Sequence, residues 1–256
     1  MDAMLRLAIL SGGLLLLSCA PVGVATREPG PASSGRTLAA SPAAKTNPPA
    51  AVPEGAPLTP AVPASDDAAY YRQMVHVLEA KDLAAAKAID FARFRHGSML
   101  LRHGGGPAAE KNLRPALTSG DVAAIRRAAS ALVAEDAAHI GAHIILMNID
   151  QDAGHTTDAE LHDAFIAGMF HSMFASGDGR GYKTAIRAYF IREEYDLVRA
   201  LGGQVQRQSL GHQDGKSFDI LQVKTKSGAT RDIYFDITEL FAEEGKLFGL
   251  PAPKGK

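Results

Sequence analysis

The chain has 256 residues, a formal net charge of −1 and a mean hydropathy of −0.04. A near-neutral balance excludes the broad basic field of a nucleic-acid binder, so no nucleic-acid partner is expected. The single cysteine excludes an intramolecular disulfide, so packing alone must hold the core.

The N-terminal run "LRLAILSGGLLLLSCA" has an apolar core from Leu7 to Leu17. That is too short to span a bilayer, which takes about 20 residues, and fits a signal-peptide core. Arg6 is offset by Asp2, and a start at Met4 would leave the flank positive. The core ends in Leu16-Leu17-Ser18-Cys19, which resembles the bacterial lipobox. The resemblance implies cleavage after residue 18 and palmitate-type acylation of Cys19. Ala rather than Asp at position 20 implies the outer membrane, with the chain facing the periplasm. Several acyl chains anchor firmly where a single one is marginal.

Residues 19–64 hold ten of the 14 prolines and no aromatic. Such a stretch has too little apolar surface to offset the entropy of ordering, so a disordered tether is expected. As a coil its ends would lie roughly 40 Å apart, and as polyproline II it would reach on the order of 140 Å.

Residues 65–175 read as helices. "SDDAAYYRQMVHVLEAKD" offers Ser65 or Asp66 as an N-cap. "GDVAAIRRAASALVAED" puts Val122, Ile125, Ala129, Leu132 and Val133 on one face. "AAHIGAHIILMNIDQDAG" aligns Ile140, Ile144 and Met147 and stops at Gly154. In the next run, Thr157 to Glu160 reads as a capping box, and Leu161, Phe165, Met169 and Met173 share a stripe. Successive antiparallel pairs of this kind resemble tetratricopeptide packing, without that repeat's Trp and Tyr marks.

Residues 176–250 change period. "TAIRAYFI" reads as a strand and "REEYDLVRALGG" as a short helix with a Gly stop. "QVQRQSLG", "SFDILQVKT" and "TRDIYFDI" read as three strands joined at Asp214-Gly215 and Ser227-Gly228. Ile233, Phe235 and Ile237 should face inward. "ELFAEEGKLFGL" would close the domain, leaving residues 251–256 as a tail. The expected class is α+β, tetratricopeptide-like helix pairs followed by a small antiparallel sheet.

The loop "SGDGRGYKTA" from Ser176 to Ala185 could cradle phosphate, bind calcium or only turn the chain. A Walker loop needs Gly before the Lys, and here Tyr182 precedes Lys183. Calcium would need a second acid after Asp178. A helix-to-strand turn, with Asp178 bonding backbone amides, fits best.

His139 and His143, four apart, would share a helix face, and His162 and His171 lie on the next helix. A metal site from His139, His143, His162 and Asp178 is geometrically possible, but no HExxH motif or ligand cysteine supports it. No cofactor is therefore expected. G-x-S-x-G is absent, and Ser209 beside His212 builds no triad. Glu193 and Glu194 suit the start of a helix dipole, and Tyr195 suits a core anchor with its hydroxyl bonded.

The segment from Asp90 to Ile237 carries an ordered set of short motifs. They are "DFARFR" at Asp90, "GD" at Gly120, "AH" at Ala142, "SGDG" at Ser176 and "TA" at Thr184. "EEY" at Glu193, "LG" at Leu201, "QSL" at Gln208, "FD" at Phe218 and "YFDI" at Tyr234 continue it. This set resembles an uncharacterised bacterial family, domain of unknown function 4919. The resemblance implies an exported, often lipid-anchored protein and supplies no catalytic role. Two classes of function stay open. One is a non-enzymatic module for a periplasmic protein partner, including an immunity lipoprotein against an envelope-acting toxin. The other is a metal-assisted envelope hydrolase using His143, His162 and Asp178.

Overall fold

The computed structural model describes residues 64–102 and 106–247. The signal segment, Cys19, the Pro-rich stretch to residue 63 and the tail lie outside the described residues. Within them, seven helices come first: α1 (Ala64–Glu79), α2 (Leu83–Lys87), α3 (Phe91–Arg102), α4 (Glu110–Ser119), α5 (Val122–Glu135), α6 (Ile140–Asp152) and α7 (Thr156–Ser176). Next come a 3-10 turn (Tyr182–Thr184), β1 (Ile186–Arg187), α8 (Ile191–Ala200), β2 (Gln204–Gln213), β3 (Lys216–Lys224), β4 (Thr230–Asp236) and α9 (Thr238–Leu247). The class is α+β.

Local chemistry explains several helix ends. Asp121 caps α5 by accepting from Ala123 N–H at 2.9 Å, and Gly120 before it takes φ +68°. α5 buries Ile125, Ala129, Leu132 and Val133 as the period requires, but Val122 is 58% exposed. Two starts differ from expectation. α1 begins at Ala64, and Asp66 and Asp67 in its first turn bond Arg93 instead. α7 begins two residues early, with His155 at the cap and no side-chain cap bond, so the Thr157 box does not form.

The long helix α7 is the centre of the packing. It touches α6, α2, α3 and β1, and buries Leu161, Phe165, Ile166, Met169, Phe170 and Met173. Each such side chain contributes about 1.5–3 kcal/mol of transfer free energy. Phe91, Phe94 and Phe165 meet edge-to-face at centroid separations of 5.5–5.8 Å.

The sheet order is β1-β4-β3-β2. β2, β3 and β4 are antiparallel, as expected. Asp214 (φ +51°) and Gly215 (φ +75°) form the tight β2–β3 turn. The "TAIRAYFI" strand shrinks to Ile186–Arg187 and runs parallel to β4, which makes the sheet mixed. The cause lies just beyond the strand. Tyr189 N–H donates to the Glu193 carboxylate, and Phe190 becomes the residue before α8.

One sheet face carries Asp219, Leu221, Val223, Ile233 and Phe235, all buried in the core. On the other face Tyr182 packs edge-on against Phe218 and Tyr234, at 4.9 and 5.0 Å. The glycine-rich loop is therefore a turn that delivers Tyr182 to the sheet. Asp178 accepts from Arg180 N–H at 3.0 Å, and Tyr234 N–H donates to Gly179 O at 2.9 Å. A Cβ on Gly177 would sit 2.4 Å from the Ala185 and Thr184 carbonyl oxygens, so the close approach needs glycine.

Candidate functional site

Buried charge concentrates where α3 and α8 meet. The α3 stripe of Phe91 and Phe94 carries Arg95 inward, where it is 1% exposed. Its Nε and Nη2 donate to the two Glu193 oxygens at 2.9 and 2.8 Å. Nη1 donates to Ser172 Oγ at 3.1 Å, and Nη2 also to Arg187 O at 2.9 Å. One guanidinium thus links α3, α7, β1 and α8.

Asp136, at the end of α5, is fully buried. Arg192 and Ser98 donate to it, and Arg102 stands at 3.5 Å. Burial pushes its pKa up, but Arg192 and Arg102 outweigh that and hold it below the usual range. Tyr71 donates to the same carboxylate and accepts from Ala137 N–H at 2.9 Å. Burial, with the Asp136 charge second, raises the Tyr71 hydroxyl to about 12.

A pair of acids lies under the sheet. Glu194 of α8 faces Asp219 of β3, and both are buried. Burial first, then the Asp219 charge, raises Glu194 to about 10, so it is protonated at neutral pH. Gln208 donates to Asp219 and accepts from Tyr195 at 2.6 Å, which links the pair to the sheet edge.

The third cluster joins α6 to α7. His143 stacks on Phe165 with centroids 5.0 Å apart. Its Nε2 lies 2.9 Å from Ala137 O, and its Nδ1 lies 2.9 Å from His162 Nδ1. Burial, with His162 second, lowers His143 to about 3. Across the ring, His162 Nε2 faces Asp150 Oδ2 at 3.8 Å. Asp150 also pairs with Arg126 at 2.7 Å.

Of the histidine and acid candidates, the structure brings together only His143 and His162. His139 is the cap of α6, its Nδ1 accepting from Ala142 N–H at 3.2 Å, so it shares no helix face with His143. Asp178 lies beyond the far end of α7, about 20 Å along the axis from His162. His171 is exposed. Glu193 and Glu194 stand in the first turn of α8 as expected, but both are buried, and Tyr195 is half-buried with its hydroxyl bonded. Ser209 pairs with Ile220 in the ladder, while His212 Nδ1 lies 3.3 Å from Ser217 Oγ. Sequence reading missed Asp150, His155 and Asp158, although "DQDAGHTTDAELH" carries the spacing of their cluster.

No family model, no curated protein and no solved structure matches the chain. Among the described residues, no helix is long and apolar enough to cross a membrane.

Proposed function

We propose that the protein is a lipid-anchored envelope module that binds another protein, and is not itself an enzyme. Acylation at Cys19 would hold it at the outer membrane, and the Pro-rich stretch would let residues 64–247 reach into the periplasm. The observation that carries the non-enzymatic reading is how the buried charges are used. Arg95, Glu193, Asp136 and Arg192 neutralise one another and tie helices together. A reacting group would need a face turned toward substrate. The sheet edge offers the contact surface: among the described residues β2 pairs on one side only, and Leu210 on it is 54% exposed. The resemblance to the uncharacterised exported family is in keeping with this placement.

Two linked experiments test the reading. Metabolic labelling with a clickable palmitate analogue should mark the chain and lose its signal in Cys19→Ala. An unlabelled wild-type chain would sink the anchor. A photocrosslinking residue at Leu210 should trap one envelope protein, while one at exposed Arg127 on α5 should not. Equal yields at both positions would remove the sheet edge as the binding surface.

A further inference from the structure

A bulge re-aims one side chain on the outer strand of the sheet. Val205 of β2 lies opposite Val223 and Arg207 opposite Gln222, with Gln206 as the extra residue between them. Val205 packs toward the core with Val223. Strict alternation would turn Arg207 to that same side. The bulge turns it to the open side instead, level with Gln222. There Lys224, two positions along β3, is its diagonal neighbour.

That end of the open face carries a concentration of positive charge. Tyr182 covers Phe218 and Tyr234 farther along the sheet, whereas Arg207, Lys224 and Asp232 are all exposed. Among the described residues neither Arg207 nor Lys224 pairs with a carboxylate. Lys226 and Arg231 add two more exposed cations in and after the β3–β4 turn. From residue 222 to residue 232 Asp232 is the only acid. Beside this charge runs the outer side of β2, where among the described residues no strand pairs with the backbone.

We infer that β2 takes up an extended acidic segment of a protein partner as a fifth strand, with one carboxylate opposite Arg207. This rests on the reading of the protein as an envelope binding module and states what chemistry its partner presents. The unpaired backbone supplies the pairing, and the cations choose the sequence. Residues opposite Arg207 and Leu210 are three apart, so they point to opposite faces of the added strand. The partner segment should therefore carry an acid and, three positions away, an apolar residue against exposed Leu210.

The charge also says what does not fit. Gln204–Gln213 holds no acid, so antiparallel pairing of two β2 strands would give Arg207 no carboxylate. A lipid surface offers phosphates but no backbone to pair with the strand. The same cations repel a basic edge, which makes the surface selective as well as attractive.

The test is fluorescence anisotropy with the untagged full chain carrying Cys19→Ser. The probes are labelled peptides of alternating Glu and Val, of alternating Gln and Val, and the Glu–Val peptide N-methylated throughout. The Glu–Val peptide should bind, and more weakly as salt rises. Affinity should fall about fivefold for Gln–Val and in each of Arg207→Glu and Lys224→Glu, and vanish on N-methylation. Both residues are exposed, so the variants should fold, which circular dichroism checks. No binding of the Glu–Val peptide, or equal binding of Gln–Val or the N-methylated form, would overturn the proposal. So would binding to phosphatidylglycerol vesicles that Arg207→Glu abolishes while no peptide binds, because the cations would then serve a membrane. In cells, the Leu210 photocrosslink should weaken in Arg207→Glu. An unchanged crosslink would overturn the acidic strand and leave the envelope reading in place, whereas no crosslink in any chain would overturn both.

Discussion

The Arg95 guanidinium and the Glu193 carboxylate, 98 positions apart, meet as a two-bond fork at 2.9 and 2.8 Å with both side chains 1% exposed. Removing one member of such a pair leaves a buried charge without a partner, at about 3–5 kcal/mol. Arg95→Met and Glu193→Gln should each lower the unfolding free energy by that amount, read as a lower urea midpoint with the slope unchanged. Glu193→Gln should be the milder, because its amide oxygen can still accept from Tyr189 N–H. A double-mutant cycle should give a coupling above about 2 kcal/mol. Additive effects would mean that the two groups hold the fold independently.

Glu194 makes stability fall as pH rises. Its folded pKa, about 10, lies above the ordinary 4.5. The folded chain therefore keeps a proton that the unfolded chain releases. The contribution is complete below about pH 4.5 and declines as pH climbs toward 10, with a limit of about 1.4 kcal/mol per unit. Glu194→Gln keeps a donor against Asp219 without that proton. It should raise the melting temperature at pH 8, and change it little at pH 4.5. Parallel melting curves across the range for both forms would show that Glu194 is ionised in the fold.

Local pattern made the helices and hairpins legible, because a 3.6-residue stripe or an Asp-Gly turn needs no distant partner. Ile233, Phe235 and Ile237 alternate inward as their spacing says. The roles of Arg95 and Glu193 were not legible, since each is a surface-type residue until the other is in place. "TAIRAYFI" has strand propensity throughout, yet Glu193 takes the Tyr189 N–H and stops the ladder. The neighbourhood of Asp150, His155 and Asp158 across the α6–α7 turn could have been found from their spacing.

His143 gives the opposite pH sign. Its folded pKa, about 3, lies below the ordinary 6.5. Its contribution is complete above about pH 6.5 and is lost as pH falls toward 3. His143→Gln can still donate to Ala137 O and accept from His162. Its stability difference from wild type should shift in its favour by about 2 kcal/mol between pH 7.5 and pH 5. At neutral pH it should be the weaker protein, because the stack on Phe165 is lost. A constant difference at both pH values would show that His143 does not drive the acid limb.

Gly97 and Gly168 are fixed by what crosses them, not by backbone angle. A Cβ on Gly97 would lie 2.1 Å from Asp67 O and 2.8 Å from Tyr71 Cβ, where α1 crosses α3. On Gly168 it would lie 2.1 Å from the Phe91 ring, where α3 meets α7. The backbone oxygen cannot rotate aside, and the ring is held by Phe94 and Phe165. Overpacking of this kind costs about 1–3 kcal/mol or more. Gly120 is the comparison: it has φ +68° and nothing within 4 Å, so Ala there meets only backbone strain of about 1 kcal/mol. Thermal melts of Gly97→Ala, Gly168→Ala and Gly120→Ala should rank the first two well below the third. If Gly120→Ala melted lowest, close approach of the helices would not be what requires glycine at positions 97 and 168.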